Sequence, residues 1–330
     1  MNYKGLKTGD LCVPYVVVEN FGEGLGTEEM RASYKDELFE LPEKLDTYMK
    51  ETVRMKKEQA EREGKAFYDG PLVRLGNVRK DGNRVLIELQ RTSYHRFACS
   101  NRSLDKKLGG KTIRELYVNE NDLKNLKDGL ANPIGVNLGI VTSDNHVILT
   151  KRSKKLHQYP GLYGVPAGFM QPEDRYDDKK YGVFPVKTPD VSPFITAVRE
   201  LWEEVNISDS TIPENMKLIE IGRVYDDLHA EIIMHTRTDA KSKDVREQAK
   251  FAVDKFEGPP ILAEFNPRAL SKYMVETIKE RPLGTPDIQG IWIPEKSPQW
   301  VPAHWRTVYL LLEKEYGAKE IERELKKAME

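Results

Sequence analysis

Three glutamates, Glu200, Glu203 and Glu204, stand at i, i+3 and i+4 within Arg199-Glu200-Leu201-Trp202-Glu203-Glu204-Val205-Asn206-Ile207. On a helix this spacing crowds like charges onto one surface, which works against stability. A divalent cation relieves the repulsion, and hard carboxylate oxygens suit Mg2+ or Mn2+. The alternative is a solvated acidic face, the ordinary fate of a Glu-rich helix. The flanking residues decide between the two.

Those flanks predict a helix. Ser192 is a natural N-cap, and Pro193 at the first helical position loses no bond by lacking an N–H. Phe194, Val198, Leu201, Trp202 and Val205 recur at the 3, 4 spacing of one apolar stripe, about 100° wide. The carboxylates fall opposite it. Asn206 tolerates the left-handed conformation that ends a helix.

The 330 residues are enough for one large domain or two ordinary ones. With 52 basic and 53 acidic residues the net charge is −1, so no field attracts nucleic acid or a membrane. Cys12 and Cys99 are the only cysteines, which excludes a disulfide framework and fits a reducing compartment. The N-terminus has no basic-then-apolar signal pattern and no apolar run approaches a membrane span. A soluble, cytoplasmic protein acting on a small molecule is expected, with a homodimer as one candidate assembly.

Residues 13–18 read as a buried strand. Gly22-Glu23-Gly24-Leu25-Gly26 reads as a flexible turn, since its spacing matches neither a P-loop nor a dinucleotide fingerprint. Residues 27–64 are charged and helical in pattern. Two β-rich runs, 72–78 and 84–89, flank Asp81-Gly82, a hairpin signal. The polar stretch 121–132 reads as a linker. It divides an N-terminal α+β domain (1–130) from a second domain (131–330). There, 134–141 and 147–151 form another hairpin, 159–169 is a Gly/Pro-dense bend, and 303–316 is an amphipathic helix with a charged tail after it. Trp292, Trp300 and Trp305 suit core or interface positions.

A strand pair, a Gly-Pro bend and an acidic helix, in that order, resemble the Nudix hydrolases. Their box reads G-x5-E-x7-R-E-U-x-E-E-x-G-U, with U aliphatic. Arg199-Glu200-Leu201-Trp202-Glu203-Glu204 matches its second half, and Gly168 matches its opening glycine. The resemblance implies an α/β fold, a Nudix α/β/α sandwich behind the N-terminal α+β domain. That first domain would then serve as a nucleotide-recognition wing. Three departures stand out. Asn206 replaces the box glycine, as its capping role permits. Glu173 follows Gly168 after four residues, with Asp174 in the five-spaced place. Between Glu173 and Arg199 lie 25 residues where the family has seven, so 175–190 is an insertion that puts the role of Glu173 in question. An interrupted box ending Glu-Val-Asn, with Thr92, Ser93, Tyr94, Phe97 and Asn101 upstream, resembles the UDP-glucose/UDP-galactose diphosphatase branch.

The resemblance implies Mg2+ (or Mn2+) held by Glu203 and Glu204, with Glu200 completing the cluster and a carbonyl near Gly168 as a further ligand. Bound metal would neutralise a diphosphate and acidify a water. Arg199 would make an orienting salt bridge. Lys151 and Arg152 are candidate phosphate contacts or an ordinary basic strand end. The general base is a box glutamate or one of Asp226, Asp227 and Glu231. On a strand, His229, Glu231 and His235 share a face and would line the substrate cleft. A zinc site there would lack ligand-pair spacing and cysteines. Tyr94 and Phe97 could stack on a base and Asn101 bond its edge, or the aromatic pair could simply pack the sheet.

The expected activity is Mg-dependent hydrolysis of a UDP-glucose-type nucleotide sugar to UMP and sugar 1-phosphate. ADP-ribose, NADH or a nucleoside triphosphate is the alternative substrate. The reading from another class is a non-catalytic Nudix-fold module that binds nucleotide or RNA.

Overall fold

A computed structural model describes residues 5–63, 68–82, 84–154, 159–175, 190–207, 215–254, 258–277 and 297–330. In chain order come the strands β1 (Leu6–Thr8), β2 (Leu11–Val13), β3 (Tyr15–Leu25) and β4 (Met30–Leu38), then helix α1 (Glu43–Arg62). Next follow β5 (Pro71–Asp81), β6 (Arg84–Ser93), α2 (Tyr94–Cys99), β7 (Lys107–Leu108), β8 (Lys111–Thr112) and α3 (Ile113–Tyr117). The centre of the molecule is built by β9 (Ile134–Val141), β10 (His146–Lys151), β11 (Tyr163–Gly164), β12 (Ala167–Phe169), α4 (Pro193–Val205), β13 (Lys217–Val224) and β14 (Ala230–Arg237). Then come α5 (Ser242–Gln248), β15 (Ile261–Glu264), α6 (Pro267–Met274), α7 (Pro302–Tyr316) and α8 (Ala318–Met329).

One eight-stranded sheet organises these elements, in the order β11-β10-β9-β14-β13-β3, with β12 added to β9 and β15 to β10. The neighbours β9 and β14 run parallel, and the other pairs are antiparallel. All eight residues of β9 are buried, as a strand covered on both faces must be. On one face Leu138, Ile221, Ile232 and Met234 pack with Phe194, Leu201 and Val205 of α4. On the other, Ile219 and Ile233 pack with Trp305, Val308, Leu312 and, from α8, Ile321 and Leu325. Helix, sheet, helix is the α/β/α sandwich expected. Trp300 and Trp305 are core residues, and Trp292 lies outside the described residues.

Helix α4 begins and ends where its sequence requires. Ser192 is the N-cap residue, Pro193 is in the first turn, and Asn206 takes the left-handed conformation at φ 56°. The Ser192 hydroxyl makes no capping bond, however. The buried arc is also displaced from the expected stripe. Ile195, Ala197, Arg199 and Glu200 are buried while Trp202 is exposed, because the helix lies against β9 and β12.

Several long-range pairings depart from the sequence reading. Residues 30–38 form a strand, β4, parallel to β6. Met30, Ala32 and Tyr34 alternate with Arg31, Ser33 and Lys35, so the true period there is two. The glycine run 22–25 continues β3. Gly24, at φ +90°, lets the strand pass close to Ile219, where a Cβ would have no room. The charged end of the chain is helix α8, whose Ile321 and Leu325 are buried. The 81–84 hairpin forms as expected, with Asp81 opposite Arg84.

The boundary near residue 130 divides nothing in the sheet, since β3 of the first segment pairs with β13 of the second. Nor is 121–132 a linker. Arg223, fully buried on β13, donates to Leu123 O, Asn125 O, Asp128 and Asn132. Arg74 of β5 donates to Leu126 O and Leu130 O. Two buried guanidinium groups thus satisfy the carbonyls of a stretch that has no ladder of its own.

Candidate active site

The Gly/Pro bend delivers β12 beneath α4, with Gly168 paired to Val136 of β9. A Cβ on Gly168 would overlap the Glu200 carboxylate, so only glycine lets strand and helix approach this closely. Glu200 is therefore buried, at 8% exposure, whereas Glu203 and Glu204 are half-buried. Among the expected site residues, Gly168 and Glu200 are brought into direct contact.

Arg199 joins the pieces. Its Nε and Nη2 donate to Asp174 Oδ1 at 2.7 Å and Oδ2 at 3.0 Å. Its Nη1 donates to Glu200 Oε1 at 2.6 Å and Glu203 Oε2 at 2.8 Å, and its Nη2 also reaches Phe169 O at 2.9 Å. These bonds set Arg199 against the carboxylates it is expected to orient. Asp174 is buried at 1% exposure and also accepts from Thr196 Oγ1 and the Gln171 N–H. Glu173 is exposed. The acid that meets the arginine is therefore Asp174, which stands at the box's five-residue spacing from Gly168.

The 175–190 insertion lies, apart from its ends, outside the described residues. At those ends the Ser192 N–H donates to Asp174 O at 2.9 Å. This bond, with those from Thr196 and Arg199 to Asp174, joins the two flanks of the insertion, so the segment is interrupted in sequence but closed in space.

Glu204 Oε1 accepts from the Ala167 N–H at 3.4 Å. Among the described residues, no three His, Cys, Asp or Glu side chains gather as a metal centre requires. Glu200 and Glu203 instead share the Arg199 guanidinium. The donor set nevertheless fits a hard cation, with three helix carboxylates above a strand that carries no side chain at Gly168. Burial raises the Glu200 carboxyl pKa; Arg199 opposes the rise and the Glu203 charge adds to it. A cation is the species that would stabilise Glu200 ionised.

A second charged group lies on the sheet face away from α4. Asp227, His229 and Glu231 alternate along the entry into β14, and His229 is clasped between its two neighbours. Its Nδ1 is 2.5 Å from Asp227 Oδ1 and its Nε2 is 2.6 Å from Glu231 Oε1. Glu231 Oε2 accepts from Asn137 Nδ2 at 2.7 Å. Burial opposes a charge on His229, yet the two carboxylates raise its pKa to about 10. Burial, then the Asp227 charge, raises the Asp226 carboxyl well above its ordinary range. Asp226 thus resists ionisation, and Asp227 and Glu231 are engaged by His229. None of these three is poised as a free base. The zinc trio does not converge either, because His235 Nε2 faces Thr307 O at 3.2 Å.

His229 packs edge-on against Phe97 and Phe169, each with ring centroids 5.8 Å away. Phe97 is fully buried, so it holds α2 to the sheet instead of offering a face for stacking. Asn101 is equally occupied: Nδ2 donates to Asn132 Oδ1 and Asp227 O, while Oδ1 accepts from the Asn132 N–H and the Ser100 hydroxyl. Its expected bond to a base edge is replaced by a structural one. Tyr94 is half-buried, with its hydroxyl 3.0 Å from Arg102 Nη1.

Lys151, at the end of β10, stands over the Tyr163 ring at 4.4 Å and is exposed. The Arg152 backbone brackets the bend, its N–H donating to Leu162 O and its carbonyl accepting from the Gly161 N–H. His304 donates no charge to this edge of the sheet, its Nδ1 accepting from the Val165 N–H at 3.0 Å. Burial first, and the Arg152 and His229 charges next, hold that imidazole well below its ordinary pKa. The sequence reading missed Asp174 as the arginine's partner, Asn137, and the clasp on His229. The shared parity of 227, 229 and 231 was the available signal for the clasp.

The NUDIX domain family matches residues 133–258. The curated mouse (Mus musculus) protein named uridine diphosphate glucose pyrophosphatase NUDT22 is 29% identical over 96 residues, 27% of this chain and 30% of its own length. The human (Homo sapiens) protein of that name is 28% identical over 112 residues, 32% of this chain and 35% of its own. The chain thus spans about a third of the length of the curated relatives it matches. The crystal structure of DR0079 from Deinococcus radiodurans aligns at 15% identity over 42% of this chain and 70% of that one, with a TM-score of 0.27, too low to carry an argument. The family match spans Gly168, Asp174 and the α4 carboxylates, among them the Asp174, Glu200 and Glu203 that Arg199 holds.

Proposed function

We propose that this protein is a divalent-metal-dependent Nudix hydrolase cleaving the diphosphate of a nucleoside diphosphate sugar, UDP-glucose in type, to UMP and sugar 1-phosphate. One observation carries the hydrolase reading. Across a long interruption the chain rebuilds a box in which Arg199 holds Asp174, Glu200 and Glu203 beside Gly168. The name shared by the mouse and human relatives supports the UDP-sugar substrate.

Glu200, Glu203 and Glu204 would hold Mg2+ or Mn2+, with the Gly168 backbone beneath. When bound, the metal supplies neutralisation of the diphosphate and an acidified water. The protein's own part is positional. Arg199 fixes the directions of Glu200 and Glu203, and Asp174 fixes Arg199. With Asp227 and Glu231 held by His229 and burial pushing the Asp226 carboxyl up, proton acceptance falls to the box glutamates. Retention of all three α4 carboxylates argues against a purely binding module.

The test is turnover of a panel by the full chain with Mg2+ or Mn2+: UDP-glucose, UDP-galactose, ADP-ribose, NADH and nucleoside triphosphates, with UMP followed directly. UMP release that EDTA and Glu203→Gln both abolish supports the reading. Turnover of ADP-ribose without UDP-sugar would reassign the substrate. No turnover of any diphosphate would refute the enzyme.

A further inference from the structure

A cavity of about 330 Å³ lies between α1 and α2, built by residues that the NUDIX match does not include. Four cationic side chains line it, Lys50, Arg54 and Lys57 from α1 and Arg96 from α2, against one carboxylate, Asp69. This is a local concentration of positive charge in a chain whose net charge is −1. Lys50, Arg54 and Lys57 recur at i, i+4 and i+7, so like charges line one face of α1 over about 10 Å, at 1.5 Å per residue. Such a row is unfavourable without a counter-charge.

The neighbours do little to cancel it. The Lys50–Asp46 and Arg54–Glu58 pairs are open to solvent, and pairs of that kind hold little energy. Asp69 is committed elsewhere, its Oδ1 accepting from the His95 N–H at 2.8 Å and its Oδ2 lying 3.6 Å from His95 Nδ1. Arg96 is fixed in place by its Nε bond to Phe39 O at 2.8 Å. Met49 and Val53 add an apolar wall. The volume is that of a small-molecule site.

We infer that this cavity binds a small anion carrying linked phosphates, with the α1 row meeting successive phosphates and Arg96 closing from α2. The α1 row calls for an extended anion over a single phosphate. The apolar wall leaves space for a carbon-bearing end. The site stands apart from the box and does not depend on the hydrolase reading.

Isothermal titration of the full chain with sodium tripolyphosphate, in EDTA so that the box carboxylates recruit nothing through metal, tests the inference. Saturable binding is expected, weakened at least about tenfold by Arg54→Glu and by Lys57→Glu, weakened by added salt and unaffected by Glu203→Gln. Arg54→Gln and Lys57→Gln, which remove charge without reversing it, should each weaken binding by a smaller factor. Circular-dichroism melts establish that every variant is folded. Absence of saturable binding, or binding by both charge-reversed variants as tight as that of the wild type, overturns the inference.

Discussion

Replacing Asp174 by Ala tests whether the interrupted box is held together as described. Its carboxylate accepts from Arg199 Nε, Arg199 Nη2, Thr196 Oγ1 and the Gln171 N–H, all at 3.0 Å or less. Removing one partner of a buried ion pair typically destabilises by about 3–5 kcal/mol. Arg199 keeps Glu200, Glu203 and Phe169 O as partners, so its charge is not orphaned and the lower end, about 3 kcal/mol, is expected. With a urea m-value of about 3 kcal/mol/M, the midpoint should fall by about 1 M. Glu173→Ala is the control: its side chain is exposed, and such substitutions stay within about 0.5 kcal/mol. Urea unfolding followed by tryptophan fluorescence measures both. If Glu173→Ala shifts the midpoint as far as Asp174→Ala, or if neither shifts it, Asp174 is not the acid that seats Arg199.

Further outcomes follow from the same geometry. Glu203→Gln and Glu204→Gln should each lower metal-dependent UMP release by about 100-fold or more while the fold survives, read from initial rates across a Mg2+ titration. Gly168→Ala should abolish that activity and destabilise the fold by about 1–3 kcal/mol, because its methyl group would occupy the space of the Glu200 carboxylate; a fully active variant would place the carboxylate elsewhere. His229 predicts a pH dependence. Burial opposes its charge, but Asp227 and Glu231 raise its pKa from 6.5 to about 10. A raised folded pKa contributes stability that is complete below 6.5 and lost as pH rises through about 10. Urea midpoints of wild type should fall over that window, and His229→Gln, less stable at neutral pH, should show a flatter profile.

What was legible beforehand was local. The ends of α4, the Asp81-Gly82 hairpin, the strands β9 and β10, and the carboxylate spacing each depend on residues within a turn or two, where backbone preference and periodicity act directly. The carboxylates could be listed, but their unequal burial could not. Glu200 is the buried one because β12 passes beneath it at Gly168, a contact made by tertiary packing. Strand β4 was misread because its half-exposed alternation carries many charges, and its parallel partner β6 begins some 50 residues later.

The sequence by itself determined the acidic helix, its ends and the order of bend and helix, since each is written in short-range chemistry. Only the tertiary structure decided that Asp174 and not Glu173 meets Arg199, that the flanks of the insertion meet at Asp174, that β3 completes the central sheet, and that Asn101 and Phe97 are structural. Those outcomes turn on which buried polar group finds a partner. That depends on strands and loops brought together from far apart in the chain, and no local pattern encodes it.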